Sequence, residues 1–217
     1  MKRFLVGLVI LLGNSVAAMA QSEAPPLFVT GAFFSGIERL SHQKTTEPLS
    51  FEVDLSGTTT GGSVAVGTFL SPRWSLQLEF AFPSALDTSF TPPLPPGTPA
   101  PPFTQHVQLE SRRKTGAILV GYRTPRRRRV SAEYLGGIAF VQERQRTVTE
   151  ITAVVPIPFP LPRRTDAELV NYRGAATAGF DVDVAIASGL SVVPQIRALV
   201  FVGALSVAPG VGLRWSF

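Results

Sequence analysis

Apolar and polar residues alternate along most of this chain with a period of two, most cleanly in its last stretch. Counting back from the C-terminus, Phe217, Trp215, Leu213, Val211, Pro209, Val207 and Leu205 are apolar, whereas Ser216, Arg214, Gly212, Gly210, Ala208 and Ser206 are small or polar. Successive side chains of a β-strand point to opposite sides, so this pattern predicts a strand with one apolar and one polar face. Similar segments are predicted at about residues 26–40, 62–70, 74–82, 106–123, 130–144, 168–186, 190–201 and 205–217. The third is the most regular, setting Trp74, Leu76, Leu78, Phe80 and Phe82 against Ser75, Gln77, Glu79 and Ala81. The first is the least regular, because Phe28, Phe33 and Phe34 do not keep to one parity.

Eight strands, an even number, leave both chain ends on one side. The connections alternate in length. Ser71-Pro72-Arg73, the stretch from Thr124 to Arg129, and Ala187-Ser188-Gly189 read as tight turns. Long connections run through a polar stretch from Ser41 to Thr60, a Pro-rich stretch from Pro83 to Gln105, and a segment containing PIPFPLPRR. Only the seventh join is short on the long-loop side. Short periplasmic turns and longer extracellular loops characterise bacterial outer-membrane barrels. Trp74, Tyr122, Trp215 and Phe217 fall at the short-turn rim, and Phe82, Phe140 and Tyr172 towards the other, as two interfacial aromatic girdles would. The expected fold is therefore all-β: an eight-stranded antiparallel up-and-down transmembrane β-barrel. A soluble lipocalin-like binder would turn the apolar face inward around a ligand. Its water-facing exterior would then need many Lys, Glu and Asp. The polar faces here are mostly Gly, Ala and Ser with few charges, which suits the crowded interior of eight strands. This places the apolar face in lipid.

Composition narrows the picture further. Charged residues are 16% of the chain, against about 25% in soluble domains. Cysteine is absent, which excludes a disulfide framework, a zinc-thiolate site and a thiol nucleophile. The net charge of +5 is concentrated at Lys2-Arg3 and in one four-arginine turn, so there is no broad basic field for nucleic acid. Lys2-Arg3, the apolar run from Phe4 to Leu12 and the small-residue site Ala18-Met19-Ala20 predict a cleaved secretory signal peptide over residues 1–20, leaving 21–217 as the barrel. The apolar run is shorter than the ~20 residues of a spanning helix. An exported chain without such a helix enters a membrane only as a closed barrel, and the expected location is the bacterial outer membrane.

With this pattern from Pro26 to Phe217, the chain resembles the small outer-membrane β-barrel family, the OmpA-like and OmpX-like eight-stranded barrels. The resemblance implies that Leu213, Trp215 and Phe217 carry the terminal signal read by the barrel-assembly machinery, with Trp74 and Tyr122 on the same aromatic rim. It implies outer-membrane lipid and lipopolysaccharide as further partners. No globular module follows the barrel, so cell-wall tethering of the OmpA kind is not expected.

Strand parity aims Glu79, Glu133, Asp181, Asp183, Arg173, Arg197 and Arg214 into the lumen. Paired carboxylates can perform acid–base work, but buried charges need partners, so a structural ion-pair network is expected. His42, beside Ser41, and His106 lie on the extracellular side. Lipid A-modifying barrels use His and Ser there, yet no spacing here assembles a nucleophile, a base and an orienting acid. No metal-ligand cluster or phosphate loop is present, and no cofactor is expected. Arg126 to Arg129 reads as a solvated turn or a contact to inner-leaflet phosphate. Arg112-Arg113-Lys114 reads as an exposed strand extension or a contact to lipopolysaccharide phosphate. TPPLPPGTPAPPF and PIPFPLPRR are extended surface loops. The expected function is that of a non-enzymatic outer-membrane protein serving envelope integrity or surface interaction through these loops. A narrow channel for small or apolar solutes and a lipid A-modifying enzyme are the alternatives.

Overall fold

The computed structural model describes residues 27–44, 52–91, 103–153 and 164–217. The expected leader and most of both Pro-rich segments lie outside these residues. Every regular element described is a strand: β1 (Leu27–Lys44), β2 (Glu52–Phe69), β3 (Trp74–Pro83), β4 (Leu86–Phe90), β5 (Phe103–Arg123), β6 (Val130–Ala153), β7 (Arg164–Ala187), β8 (Leu190–Phe201) and β9 (Ala204–Ser216). All pairings are antiparallel. Apart from β3 and β4, which do not pair with each other, each strand pairs with its sequence neighbours, β9 returns to β1, and both β3 and β4 pair with β5. The sheet therefore closes on itself. β3 and β4 are two parts of one staved position, so the ring has eight positions.

The break between β3 and β4 is a β-bulge. Ala81 lies opposite Thr115 and Leu86 opposite Ser111, so five steps along β3 and β4 match four along β5. One extra residue reverses which parity faces inward. Ser75, Gln77 and Glu79 are buried in the lumen, and after the bulge Leu86 is buried while Asp87 is exposed. The bulge is pinned to β2: the Ser84 amide donates to the Thr60 carbonyl at 2.6 Å, and the Thr60 amide donates to the Ser84 hydroxyl at 3.2 Å.

Strands extend farther on the long-loop side than alternation predicts. β2 begins at Glu52, inside the expected polar connection, and β4 lies inside the expected Pro-rich one. β6 runs on to Ala153 and β7 starts at Arg164. Beyond the membrane both faces of a strand can be polar, so pairing continues where the apolar alternation has ended.

The outward face is apolar and unpacked. Phe33 is 81% exposed, Ile138 68% and Trp215 65%. A continuous belt of this kind is incompatible with water and is what a membrane-facing surface requires. Pro194 and Pro209 sit within the wall, facing outward. The β7–β8 pairing lapses between Asp181–Gln195 and Val184–Val192, opposite Pro194. The β1–β9 pairing lapses between Phe34–Gly210 and Ile37–Val207, opposite Pro209. Proline has no amide hydrogen to give, which accounts for both gaps.

The bulge makes a direct prediction. Leu86→Ala should lower unfolding stability by about 2–4 kcal/mol, while Asp87→Ala should change it by less than ~0.5 kcal/mol. Urea unfolding from liposomes measures both; equal effects would mean that the faces are not switched.

Candidate functional site: the barrel lumen and its outer rim

Alternation along each stave delivers the charged side chains to the lumen, where the strands bring together residues far apart in sequence. At the short-turn end Arg214 is 1% exposed. Its Nη1 reaches Glu133 at 2.9 Å and Asp183 at 3.4 Å, and its Nη2 reaches Asp181 at 2.9 Å. Its Nε donates to the Thr30 hydroxyl at 3.1 Å, and the guanidinium lies 4.6 Å from the Phe28 ring centroid. Ser75 donates to the other oxygen of Glu133. Arg123 joins from β5, 3.3 Å from Asp183, and donates to Ser131 at 2.9 Å.

Arg197 lies one layer outward. It pairs with Asp181 and reaches Glu79 at 2.9 Å. β8 and β3 are four positions apart in the ring, so the Arg197–Glu79 pair spans the full diameter. Above it, Arg113 meets Glu38 at 2.5 Å and Ser206 at 3.2 Å, with Thr59 donating to Glu38 at 3.1 Å. Glu143 accepts from Ser111 at 3.2 Å and Gln145 at 3.0 Å, and lies 3.8 Å from Arg173. An apolar cluster of Leu55, Leu86, Leu109, Val141, Leu199 and Phe201 fills the outer half. A cavity of about 60 Å³ remains between the layers, lined in part by Phe34, Glu79, Arg113, Arg197 and Thr177.

All seven charges that parity aims inward lie in or at the mouth of this interior, each in an ion pair; Arg173, paired with Glu143, sits at the outer mouth, 34% exposed. Glu38, Arg113, Arg123 and Glu143 were not among them. Arg113, Arg123 and Glu143 obey the same parity rule as their strand neighbours, so the signal existed. Of the basic run, only Arg112 and Lys114 face outward; Arg113 does not. In the four-arginine turn, Arg126 comes within 4.0 Å of Asp183, and Arg127 to Arg129 are exposed.

At the short-turn rim Trp74 packs on Tyr122 with centroids 5.3 Å apart; across the ring at the same end Trp215 and Phe217 are exposed, with Leu213 on the same outward face of β9. At the other rim Phe140 stacks on Tyr172 at 5.7 Å. His106 is exposed on the outward face of β5, opposite Glu150, and makes no side-chain hydrogen bond among the described residues. Ser41 and His42 lie on β1, and their side chains are outside the described set.

Beyond the belt, β5, β6 and β7 project as a sheet. Among the described residues no strand pairs with β7 outward of Ala176. Its outward face carries an ion-pair ladder: Arg112 with Glu110, Arg144 with Glu168 at 2.6 Å, and Arg146 with Asp166. Hydrogen bonds from Arg146 and Arg144 hold the Asp166 and Glu168 carboxyls below their ordinary pKa, and Coulombic attraction adds to this.

A closed ring with an apolar outer belt, two aromatic girdles and a charged, paired interior is a transmembrane barrel of the outer-membrane type. No protein-family model matches the sequence, and no curated protein matches it. Solved structures do. The outer membrane protein OprG from Pseudomonas aeruginosa aligns with a TM-score of 0.53 at 8% identity, over 91% of this chain and 98% of that one. Ail of Yersinia pestis in complex with sucrose octasulfate aligns at 0.48 and 8% identity, over 88% and 99%. The N-terminal β-barrel domain of Pseudomonas aeruginosa OprF aligns at 0.47 and 11%, over 89% and 100%. At such identity the OprG likeness establishes the fold alone: that of the small outer-membrane β-barrels.

Two predictions follow from these contacts. Arg214→Ala leaves buried Glu133 without a cation and takes one partner each from Asp181 and Asp183, and should cost about 3–5 kcal/mol; a urea midpoint equal to the parent's would refute the pairing. Asp166 and Glu168 have depressed folded pKa values, so their stabilising effect is complete above the ordinary carboxylate range and is lost as pH falls through the folded values. Carbon-13 carboxyl titration should show Asp166 and Glu168 titrating below exposed reference carboxyls, and Arg144→Gln should return Glu168 to the reference.

Proposed function

We propose that the chain is a non-enzymatic barrel of the bacterial outer membrane, exported by a leader over residues 1–20, with a closed lumen and an outer end that serves envelope integrity or surface interaction. One observation carries this reading: Arg214, Glu133 and Asp181, drawn from three staves, are each 1% exposed or less. A water-filled channel would wet them. The cross-barrel Arg197–Glu79 pair and the apolar cluster block the same path farther out. The residual cavity of about 60 Å³ holds a few waters at most, which is too little for solute passage. For the enzymatic alternative, His106 faces outward on β5 opposite Glu150 and makes no side-chain hydrogen bond among the described residues. The projecting β5–β6–β7 sheet, whose β7 edge has no paired strand outward of Ala176 among the described residues, supports the surface-interaction part of the reading, since exposed edges on rigid barrels are where contacts form. Leu213, Trp215 and Phe217 stand where an assembly-machinery signal would be read.

Planar-bilayer recording tests the reading. The parent protein should give no steady current. Removing both struts in Arg197→Ala/Arg214→Ala should, if the barrel still inserts, produce openings. A steady ohmic current from the parent would replace this reading with the channel.

A further inference from the structure

We infer that the outward face of β5, β6 and β7 holds a specific binding site for a phosphate-bearing lipid of the outer leaflet; this rests on the membrane reading above. The cross-strand register lays the face out in rows. The outermost apolar row is Gly116–Phe140–Gly174. The next is Lys114–Gln142–Tyr172, and the one beyond is Arg112–Arg144–Val170. Only then come carboxylates, in the row Glu110–Arg146–Glu168, followed by Asp166 opposite Val148. Three cations thus occupy the two rows nearest the hydrocarbon, and every acid of this face lies farther out. Exposed ion pairs are worth little for stability, so the ladder does not explain the layering. Lipid phosphates sit just above the acyl region, at the level of these cations.

The guanidiniums are arranged to accept an additional anion. Glu168 takes the Nε and Nη2 of Arg144, and Glu110 takes the Nε of Arg112. These clamps fix each planar group and leave other donors for phosphate, which guanidinium binds with matching geometry. Lys114 has no carboxylate partner among the described residues. Arg112, Arg144 and Arg146 line a polar pocket of about 440 Å³ with their three acids.

Directly below, an apolar groove of about 580 Å³ runs between Leu78, Phe80, Ile118, Ile138 and Phe140, a volume in the range of ligand-sized clefts. Its floor is open because a Cβ at Gly174 would meet nothing within 4 Å. A polar pocket stacked on an apolar groove matches an amphiphile whose phosphates meet the cations and whose chain lies in the groove. On the opposite side of the barrel β2 presents Thr60, Thr58 and Ser56 outward of its apolar residues, with Arg39 of β1 beside Ser56.

The test uses the full mature barrel in nanodiscs with lipid A, and in parallel with fully dephosphorylated lipid A, reading retained lipid by native mass spectrometry. The parent should retain lipid A at least tenfold over the dephosphorylated form. Arg112→Ala/Lys114→Ala/Arg144→Ala should abolish the preference. Gly174→Leu, which fills the groove and leaves the charges, should weaken retention of both forms. Equal retention of both lipids by the parent, or an unaltered preference in the triple variant, overturns the site. Heat-modifiable migration and β circular dichroism run on the same samples separate the two failures: a folded, inserted barrel without lipid preference sinks the site alone, whereas a parent that never inserts sinks the membrane reading beneath it.

Discussion

A charge enclosed by a membrane barrel must find its partner across the lumen, because neither water nor lipid will take it. In this chain that requirement is met by struts. Arg214 gathers three carboxylates from β6 and β7, and Arg197 ties β8 to β3 across the full diameter. Each pair is satisfied only when the ring is closed in its observed register. A slip by one residue would turn Arg214 into lipid and Trp215 into the lumen. The network therefore specifies register as well as filling space, and this matters most at the β1–β9 and β7–β8 walls, where Pro209 and Pro194 have removed part of the backbone ladder.

The same constraint divides the molecule along its axis. Near the short turns the interior is ionic and the exterior apolar. Farther out the interior becomes apolar, with Leu86, Leu109 and Phe201, while the exterior acquires the Arg–carboxylate ladder. The bulge between β3 and β4 helps to make this exchange: one added residue turns Leu86 inward and Asp87 outward.

Much of this was legible in the sequence because lipid enforces strict alternation. Parity alone aimed Glu79, Glu133, Asp181, Asp183, Arg197 and Arg214 inward. It failed where alternation carries no contrast. On β1, Phe28 and Phe34 point inward beside Glu38, so the polar face does not read as polar and Glu38 is hidden. Arg113 stands inside a basic run whose flanking members face outward. The bulge leaves no compositional mark beyond a neighbouring proline, and its inverted faces cannot be read without the β5 register. Strand ends were underestimated for the same reason: outside the membrane, water on both sides removes the apolar signal while the hydrogen-bonded ladder continues.

The central claim is that cross-lumen pairing, more than local packing, holds the ring in its register. A double-mutant cycle between Arg214→Met and Asp181→Asn, read by reversible urea unfolding in liposomes, isolates that coupling. The account predicts a coupling energy of about 2 kcal/mol or more, at the upper end for contacting residues. A coupling below ~0.5 kcal/mol, the scatter expected of independent sites, would contradict it.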